Sequence, residues 1–359
     1  MPPRLSVVIC SFNGADGVGR CLRALGAQSI RGALEIIVVD DGSTDSTSQV
    51  ASALGAKVVR HTHNRGISAA RNTGIRAASA AVVAFLDDDC EPCPRWAEAL
   101  LASYDSRSIG VGGLISPNVG PGLVLGYLGR HSPLLPQELD LAASNNVPYR
   151  FWLYLRRQWR PAKPGQRRQV VAMPSANLSV LRQALLDVGG FDERIRFSAE
   201  DDDLCRRLTI AFPDGQLIIE PAAEVIHHFK ASWRDTFRRS RAYGQGSAVM
   251  FCKWPDVRPT LFPFPLAVAA MLTASAWAPA LAPAAVVLPP LLYPQGLRDA
   301  VARRRPRSLL DAYFQLLQEA CEDYGFVTGW WQFRKRFAAD QPIGGLGRDL
   351  DVSVDFDAR

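Results

Sequence analysis

The sequence predicts an α/β fold built on a mostly parallel sheet covered on both faces, and three observations carry that expectation. Apolar runs at Leu5–Cys10, Leu34–Val39, Lys57–Arg60 and Ala81–Leu86 alternate with helical patterns, the order of successive βαβ units. The runs place Val, Ile and Leu at consecutive positions, as strands buried on both faces require. Three of them end in polar or acidic residues: Ser11-Phe12-Asn13, Asp40-Asp41-Gly42-Ser43 and Asp87-Asp88-Asp89. The carboxyl ends of parallel strands are where such sheets hold ligands.

Taken in order, the first helix is expected over Gly19–Gln28, with Cys21, Leu22 and Leu25 at helical spacing. Ser46–Leu54 and the Ala-rich Ser68–Ala80 give the next two helices. Residues 110–170 are rich in Gly, Pro and Arg and predict loops on the acceptor side. Regularity returns at Val170–Leu181, followed by a helix, Gly189-Gly190-Phe191-Asp192 and a helix opening at Glu200. Ser232–Tyr243 reads as a helix with Arg234, Arg238 and Arg241 on one face beside a Trp233/Phe237 stripe. Such a helix suits an anionic bilayer surface, or a core-facing stripe with solvated arginines.

Phe262–Tyr293 has 32 residues without a charge, broken by prolines at 263, 265, 279, 283, 289 and 290. A single span needs about 20 apolar residues and two need about 40. Two short helices forming a hairpin or re-entrant anchor are therefore expected, with a buried helical pair as the alternative. Basic residues on both sides, Lys253 and Arg258 before, Arg298 and Arg303 to Arg305 after, put both ends on the cytoplasmic face of the membrane. Residues 308–337 follow helical spacing up to Gly329-Trp330-Trp331. The expected organisation is a catalytic domain over 1–245, a C-terminal helical region over 246–339 and a loose tail from 340.

Composition narrows the class. Of 359 residues, 48% are apolar and 21% charged, which excludes disordered and fibrous chains. Lys and Arg total 41 against 35 acidic residues, a net charge of +6. The arginine clusters at 156–168, 234–241 and 303–307 point to a membrane surface or a phosphate-bearing substrate, with nucleic acid as the other class such clusters fit. Seven sparse cysteines exclude a disulfide scaffold, and the lone CxxC of Cys90 and Cys93 lacks the partners of a structural zinc site. Reduced thiols follow. The N-terminal apolar run is too short for an export signal.

The chemistry gathers at the strand ends. Asp87 and Asp89 can both reach a hard divalent cation, whereas three adjacent carboxylates in a plain turn crowd negative charge. Asp40 and Asp41 can accept from the imide N–H of a base, while Ser43 and Asp45 suit a helix cap. Arg71 falls in the first turns of a helix, where a guanidinium fork fits a diphosphate; a solvated surface arginine is the plain alternative. Glu200-Asp201-Asp202-Asp203 is either helix-start electrostatics or a general base. One imidazole of His227-His228 could complete a metal shell. The first strand is followed by Ser11-Phe12-Asn13-Gly14-Ala15-Asp16-Gly17, which lacks the G-x-G-x-x-G of a dinucleotide-dependent oxidoreductase.

Together, Ser6-Val7-Val8-Ile9 with Phe12-Asn13, Val38-Val39-Asp40-Asp41-Gly42-Ser43-Thr44-Asp45, Asn64-Arg65-Gly66 with Ala70-Arg71-Asn72, Phe85-Leu86-Asp87-Asp88-Asp89, Gly189-Gly190-Phe191-Asp192 and Glu200-Asp201 resemble family 2 glycosyltransferases, in that family's order. The resemblance covers residues 5–245. It implies a GT-A fold, a nucleotide-sugar donor, a divalent cation (magnesium or manganese) and an inverting mechanism. It carries Asp87 and Asp89 over as the DxD metal and diphosphate residues, Asp41 with Asp40 as the base-recognition carboxylate, and Asp201, beside Glu200, as catalytic base; Asp203 is the alternative register. Donor contacts are expected from Ser11, Phe12, Asn13, Asp40, Asp41, Asn64, Arg71 and Asp88. His228 is taken as the metal-shell histidine, with His227 the alternative. The expected partners are a glycan or lipid-linked acceptor and a membrane, and no nucleic acid. A non-catalytic, membrane-docked scaffold is the competing class.

Overall fold

The computed structural model describes residues 2–138, 146–159, 165–259, 261–337 and 352–353. Its N-terminal part is β1 (Leu5–Ser11), α1 (Ala15–Gly26), β2 (Leu34–Asp40), α2 (Thr47–Ala53), β3 (Lys57–His61), α3 (Ile67–Ala77) and β4 (Val82–Asp87). These four strands are all parallel, β1 pairing with β2 on one side (Val7↔Ile36) and β4 on the other (Val7↔Ala84). Successive side chains of a strand point to opposite faces, so β1 feeds two cores. Val8 and Cys10 pack with Ile75, Phe85, Phe191 and Leu204 on one face. Leu5, Val7 and Ile9 pack with Leu22, Leu25 and Trp96 on the other. This double burial is why the strand reads as an unbroken apolar run.

The chain continues through β5 (Cys90–Pro92), α4 (Trp96–Ala102), β6 (Ser108–Pro117), α5 (Leu123–Leu128), β7 (Gln137–Glu138), α6 (Val147–Trp159), β8 (Arg168–Ala172), β9 (Asn177–Leu181), α7 (Arg182–Asp187), α8 (Glu200–Ala211) and β10 (Gln216–His227). The sheet order is β3-β2-β1-β4-β9-β6-β10-β8-β7, with β5 on β10. β9 enters antiparallel between β4 and β6, and β8 runs antiparallel beside β10. The expected parallel sheet thus holds for the first half and becomes mixed in the second. Residues 110–170, expected as loops, contain β6, α5 and α6.

Beyond the sheet lie α9 (Trp233–Lys253), α10 (Pro263–Ala274), α11 (Leu281–Val287), α12 (Pro289–Leu292), α13 (Pro294–Ala302) and α14 (Asp311–Phe333). The boundary expected at 245 falls inside α9, which runs on unbroken and packs along α14. Their backbones approach closely because the crossing is made of glycines. A Cβ on Gly244 would lie 1.9 Å from the Glu322 carbonyl oxygen, and one on Gly325 2.1 Å from that of Arg241. Trp233 stacks on Phe314 with ring centroids 3.7 Å apart, so this stripe faces the interior rather than a bilayer.

Among the described residues no helix is long and apolar enough to cross a membrane. α10 has 12 residues, about 18 Å of helix against a hydrocarbon core of about 30 Å. The prolines do divide the apolar segment into short helices, as expected, but these do not span. They leave Leu266, Leu272, Trp277, Val286, Val287 and Leu291 exposed, Trp277 at 82%. Of the tail expected to be loose, Val352–Ser353 pairs antiparallel with β3; the remainder lies outside the described residues.

Candidate active site

The loops at the ends of β1 and β2 are tied together by their own polar side chains. Asn13 takes a positive φ of 55°, its side-chain oxygen accepts from the Thr44 N–H (2.8 Å), and its own N–H donates to the Ser43 hydroxyl (2.9 Å). Asp40 accepts from the Ser43 N–H at 2.7 Å and from the Ser48 hydroxyl. Asp41 accepts from His61 Nδ1 (2.7 Å) and from the N–H groups of Arg65 and Gly66 (both 2.9 Å). Gly42 lets the chain pass between them: its φ is +81°, and a Cβ would sit 2.6 Å from the His63 carbonyl carbon. Asp40 and Asp41 are therefore buried, each holding backbone N–H together with a side chain, Ser48 for Asp40 and His61 for Asp41. Asp41, expected with Asp40 to recognise a nucleobase, also ties the β2 loop to the loop before α3. Of this group, Phe12 and Asn64 are exposed, and Ser11 is buried with its hydroxyl donating to Asp88.

At the end of β4 the three aspartates divide. Asp88 turns inward to Ser11, and burial pushes its carboxyl up to about 7. Asp87 and His227 face a cavity, and His227 Nε2 is 3.2 Å from Asp89 and 4.0 Å from Asp87. Burial, with the Asp87 charge next, pushes Asp89 up to about 6. His227 is pushed down to about 4 by burial, so its imidazole is neutral. Its Nδ1 has no hydrogen-bond partner among the described residues. His228, the histidine expected in the metal shell, instead faces Glu91 at 2.9 Å. The reason is strand alternation: His227 is registered opposite Cys90, and its neighbour must point to the other face.

Two carboxylates and a neutral imidazole, crowded enough to raise one carboxyl, form a donor set that suits a magnesium- or manganese-type cation. The Asp89, Cys90 and His227 ligand atoms lie within 4.8 Å of one another. The Cys90 thiol, held well above its ordinary range by burial, fits the set less well. The residues present fit the cation.

Across the same cavity, α8 opens after Ala199, which holds a left-handed φ of 65°. Glu200 is buried and pairs with Arg71 at 2.5 Å, and the other arm of Arg71 reaches Asp87 at 3.1 Å. Arg71 is thus not a surface arginine. It is a buried tie between the two acidic groups. Asp201 accepts from the Ser175 N–H (2.9 Å), and Asp202, also lining the cavity, is pushed well up by burial and by Asp201. Asp203 points away, locked by Arg207 (2.9 Å), Lys253 (2.6 Å) and the Trp254 indole N–H (3.1 Å). Of the two registers, only Asp201 lines the cavity.

The cavity measures about 390 Å³, and Arg71, Asp87, Asp201, His227, Arg239 and Tyr243 line it. Arg239 and Tyr243 come from α9 and were not singled out by the sequence. Arg239 is held by Asp235 at 3.0 Å and lies 3.7 Å from Asp89. The i, i+4 spacing of Asp235 and Arg239 was legible, but nothing local says which of the neighbouring arginines turns inward. His61 was also missed, since only the fold brings it to Asp41.

An α/β sheet with acidic strand ends facing a second acidic helix start is a GT-A-like architecture. Residues 6–173 match the family model described as Glycosyl transferase family 2. The chain is 34% identical over 260 residues to the pre-mycofactocin glycosyltransferase of Mycobacterium tuberculosis, covering 70% of this chain and 48% of that protein. It is 26% identical over 272 residues to the glucosyl-dolichyl phosphate glucuronosyltransferase of Haloferax volcanii, covering 70% and 79%. The chain spans about half the length of the first of these relatives. A solved mannosyltransferase from Pyrobaculum calidifontis, in complex with GDP-Man and Mn2+, shares the fold at a TM-score of 0.54 and 19% identity, over 90% of this chain and 88% of that one. Through residues 6–173, just under half of the chain, the protein is similar to glycosyl transferase family 2.

Proposed function

We propose that the protein moves a sugar from a nucleoside-diphosphate donor to an acceptor hydroxyl with inversion at the anomeric carbon. One observation carries this reading: Asp87 and His227 face Asp201 across a single cavity, with Asp89 3.2 Å behind His227 and Arg71 bridging the two acidic sides. Asp87, Asp89 and His227 would hold a magnesium or manganese ion, which when bound supplies charge neutralisation at the diphosphate. Arg239 adds a fixed cation beside Asp89. Asp201 takes the proton from the acceptor hydroxyl, since an inverting attack needs a base on the face opposite the leaving group. Its oxygens are aimed by the Ser175 and Asp202 N–H groups, and the start of α8 supplies the positive end of a helix dipole.

The exposed apolar side chains of α10 to α12, with Arg303, Arg304 and Arg305 following, support docking in the plane of an anionic membrane rather than a span. The cytoplasmic face, and a lipid-linked or envelope glycan as acceptor, belong to the same proposal. The test is donor turnover against a panel of nucleotide sugars with magnesium, manganese or EDTA, with the anomeric configuration of the product read by NMR. Undiminished turnover in EDTA, or a retained configuration, sinks the reading.

A further inference from the structure

A second cavity of about 260 Å³ lies between α5 and the 3₁₀ turn Pro306–Leu310, and it shares no lining residue with the catalytic cavity. Its lining includes three arginines, Arg130, Arg305 and Arg307, and no acidic residue. Arg130 is fixed in place: its Nε and Nη2 donate to Asp311 at 2.6 and 2.8 Å. Its Nη1 lies toward Gly126 on the cavity wall, where a Cβ would be 3.6 Å away. Arg305 and Arg307 are exposed and have no carboxylate partner among the described residues. Ser308 also lines the cavity, is 1% exposed, and its hydroxyl has no hydrogen-bond partner among the described residues. Buried hydroxyls in folded proteins are normally satisfied, so an unmet one marks a place for a ligand oxygen.

We propose that this cavity binds a phosphate group. Three guanidiniums, one clamped by Asp311 and two uncompensated, match a compact anion with several acceptor oxygens. Leu123 on the rim, with Leu309 beside Ser308, is an exposed apolar side chain, so the phosphate can come from a lipid headgroup or from a soluble phosphate ester. The site does not depend on the proposed transfer reaction.

The test is calorimetric titration of the full chain with inorganic phosphate. Saturable binding is expected, weakened about tenfold (about 1.4 kcal/mol) in the double variant Arg305→Gln/Arg307→Gln, whose side chains are exposed and do not carry the fold. Ser308→Ala weakens it by a smaller factor. Phosphatidylcholine vesicles with and without phosphatidic acid then separate the sources. Recruitment by phosphatidic acid that phosphate competes away assigns a headgroup, and phosphate binding without recruitment assigns a soluble ester. No saturable phosphate binding, or equal affinity in wild type and the double variant, overturns the site.

Discussion

Replacing Arg71 with methionine tests whether the tie between the two acidic groups is real. Methionine keeps the length of the side chain and its packing on Phe191, but removes the charge. Glu200 is 6% exposed and loses its 2.5 Å partner, whereas Asp87 is about a third exposed and can be solvated. The cost therefore falls on Glu200. Removing one partner of a buried ion pair costs about 3–5 kcal/mol, and the lower end applies because only one carboxylate is stranded. Burial and the Asp201 charge already raise the Glu200 carboxyl, and Arg71 is what lowers it. In the variant the folded-state value climbs further above the ordinary 4.5. A carboxyl raised on folding keeps its contribution below its unfolded value and loses it as pH rises toward the folded one. The deficit must therefore be small at pH 5 and large at pH 8. Urea denaturation followed by far-UV circular dichroism in EDTA at both pH values measures it. A deficit under about 1 kcal/mol at pH 8, or one larger at pH 5, would falsify the assignment of Arg71 as a buried tie.

Further outcomes follow from the same geometry. Asp201→Asn should hold donor affinity within a few-fold and reduce transfer by about 10²–10⁴, as for removal of a positioned base. Asp203→Asn should instead lower stability, because Lys253 and Arg207 lose their shared carboxylate; a dead but fully stable Asp203→Asn reverses the two roles. His227→Ala should weaken manganese binding about tenfold or more, read by titration calorimetry, while His228→Ala leaves it near wild type. The opposite ranking would return the metal shell to His228. Trp277→Asp with Leu272→Asp should reduce sedimentation with anionic vesicles at moderate salt, and unchanged sedimentation would remove the apolar face from the membrane contact.

Local pattern determined much of this protein. The unbroken Val/Ile/Leu runs announced strands buried on both faces, and parallel strands send their carboxyl-terminal residues to one edge, so Asp87, Asp89 and the Asn13 and Asp41 loops were legible as neighbours. The acidic opening of α8 and the proline-divided apolar segment were legible for the same reason: each is a property of consecutive residues. Tertiary structure decided the rest. Whether Asp41 meets a ligand or the N–H groups of Arg65 and Gly66 depends on a loop from a different βα unit. Asp201 and Asp203 look alike in sequence, but Lys253, fifty residues on, claims Asp203. That His227 rather than His228 lies beside Asp89 follows from strand register against Cys90, and the approach of Arg239 to Asp89 from the roll of α9 against α14. Charged side chains take their roles from what lies opposite them, and the partner of each of these is brought in from a distant part of the chain.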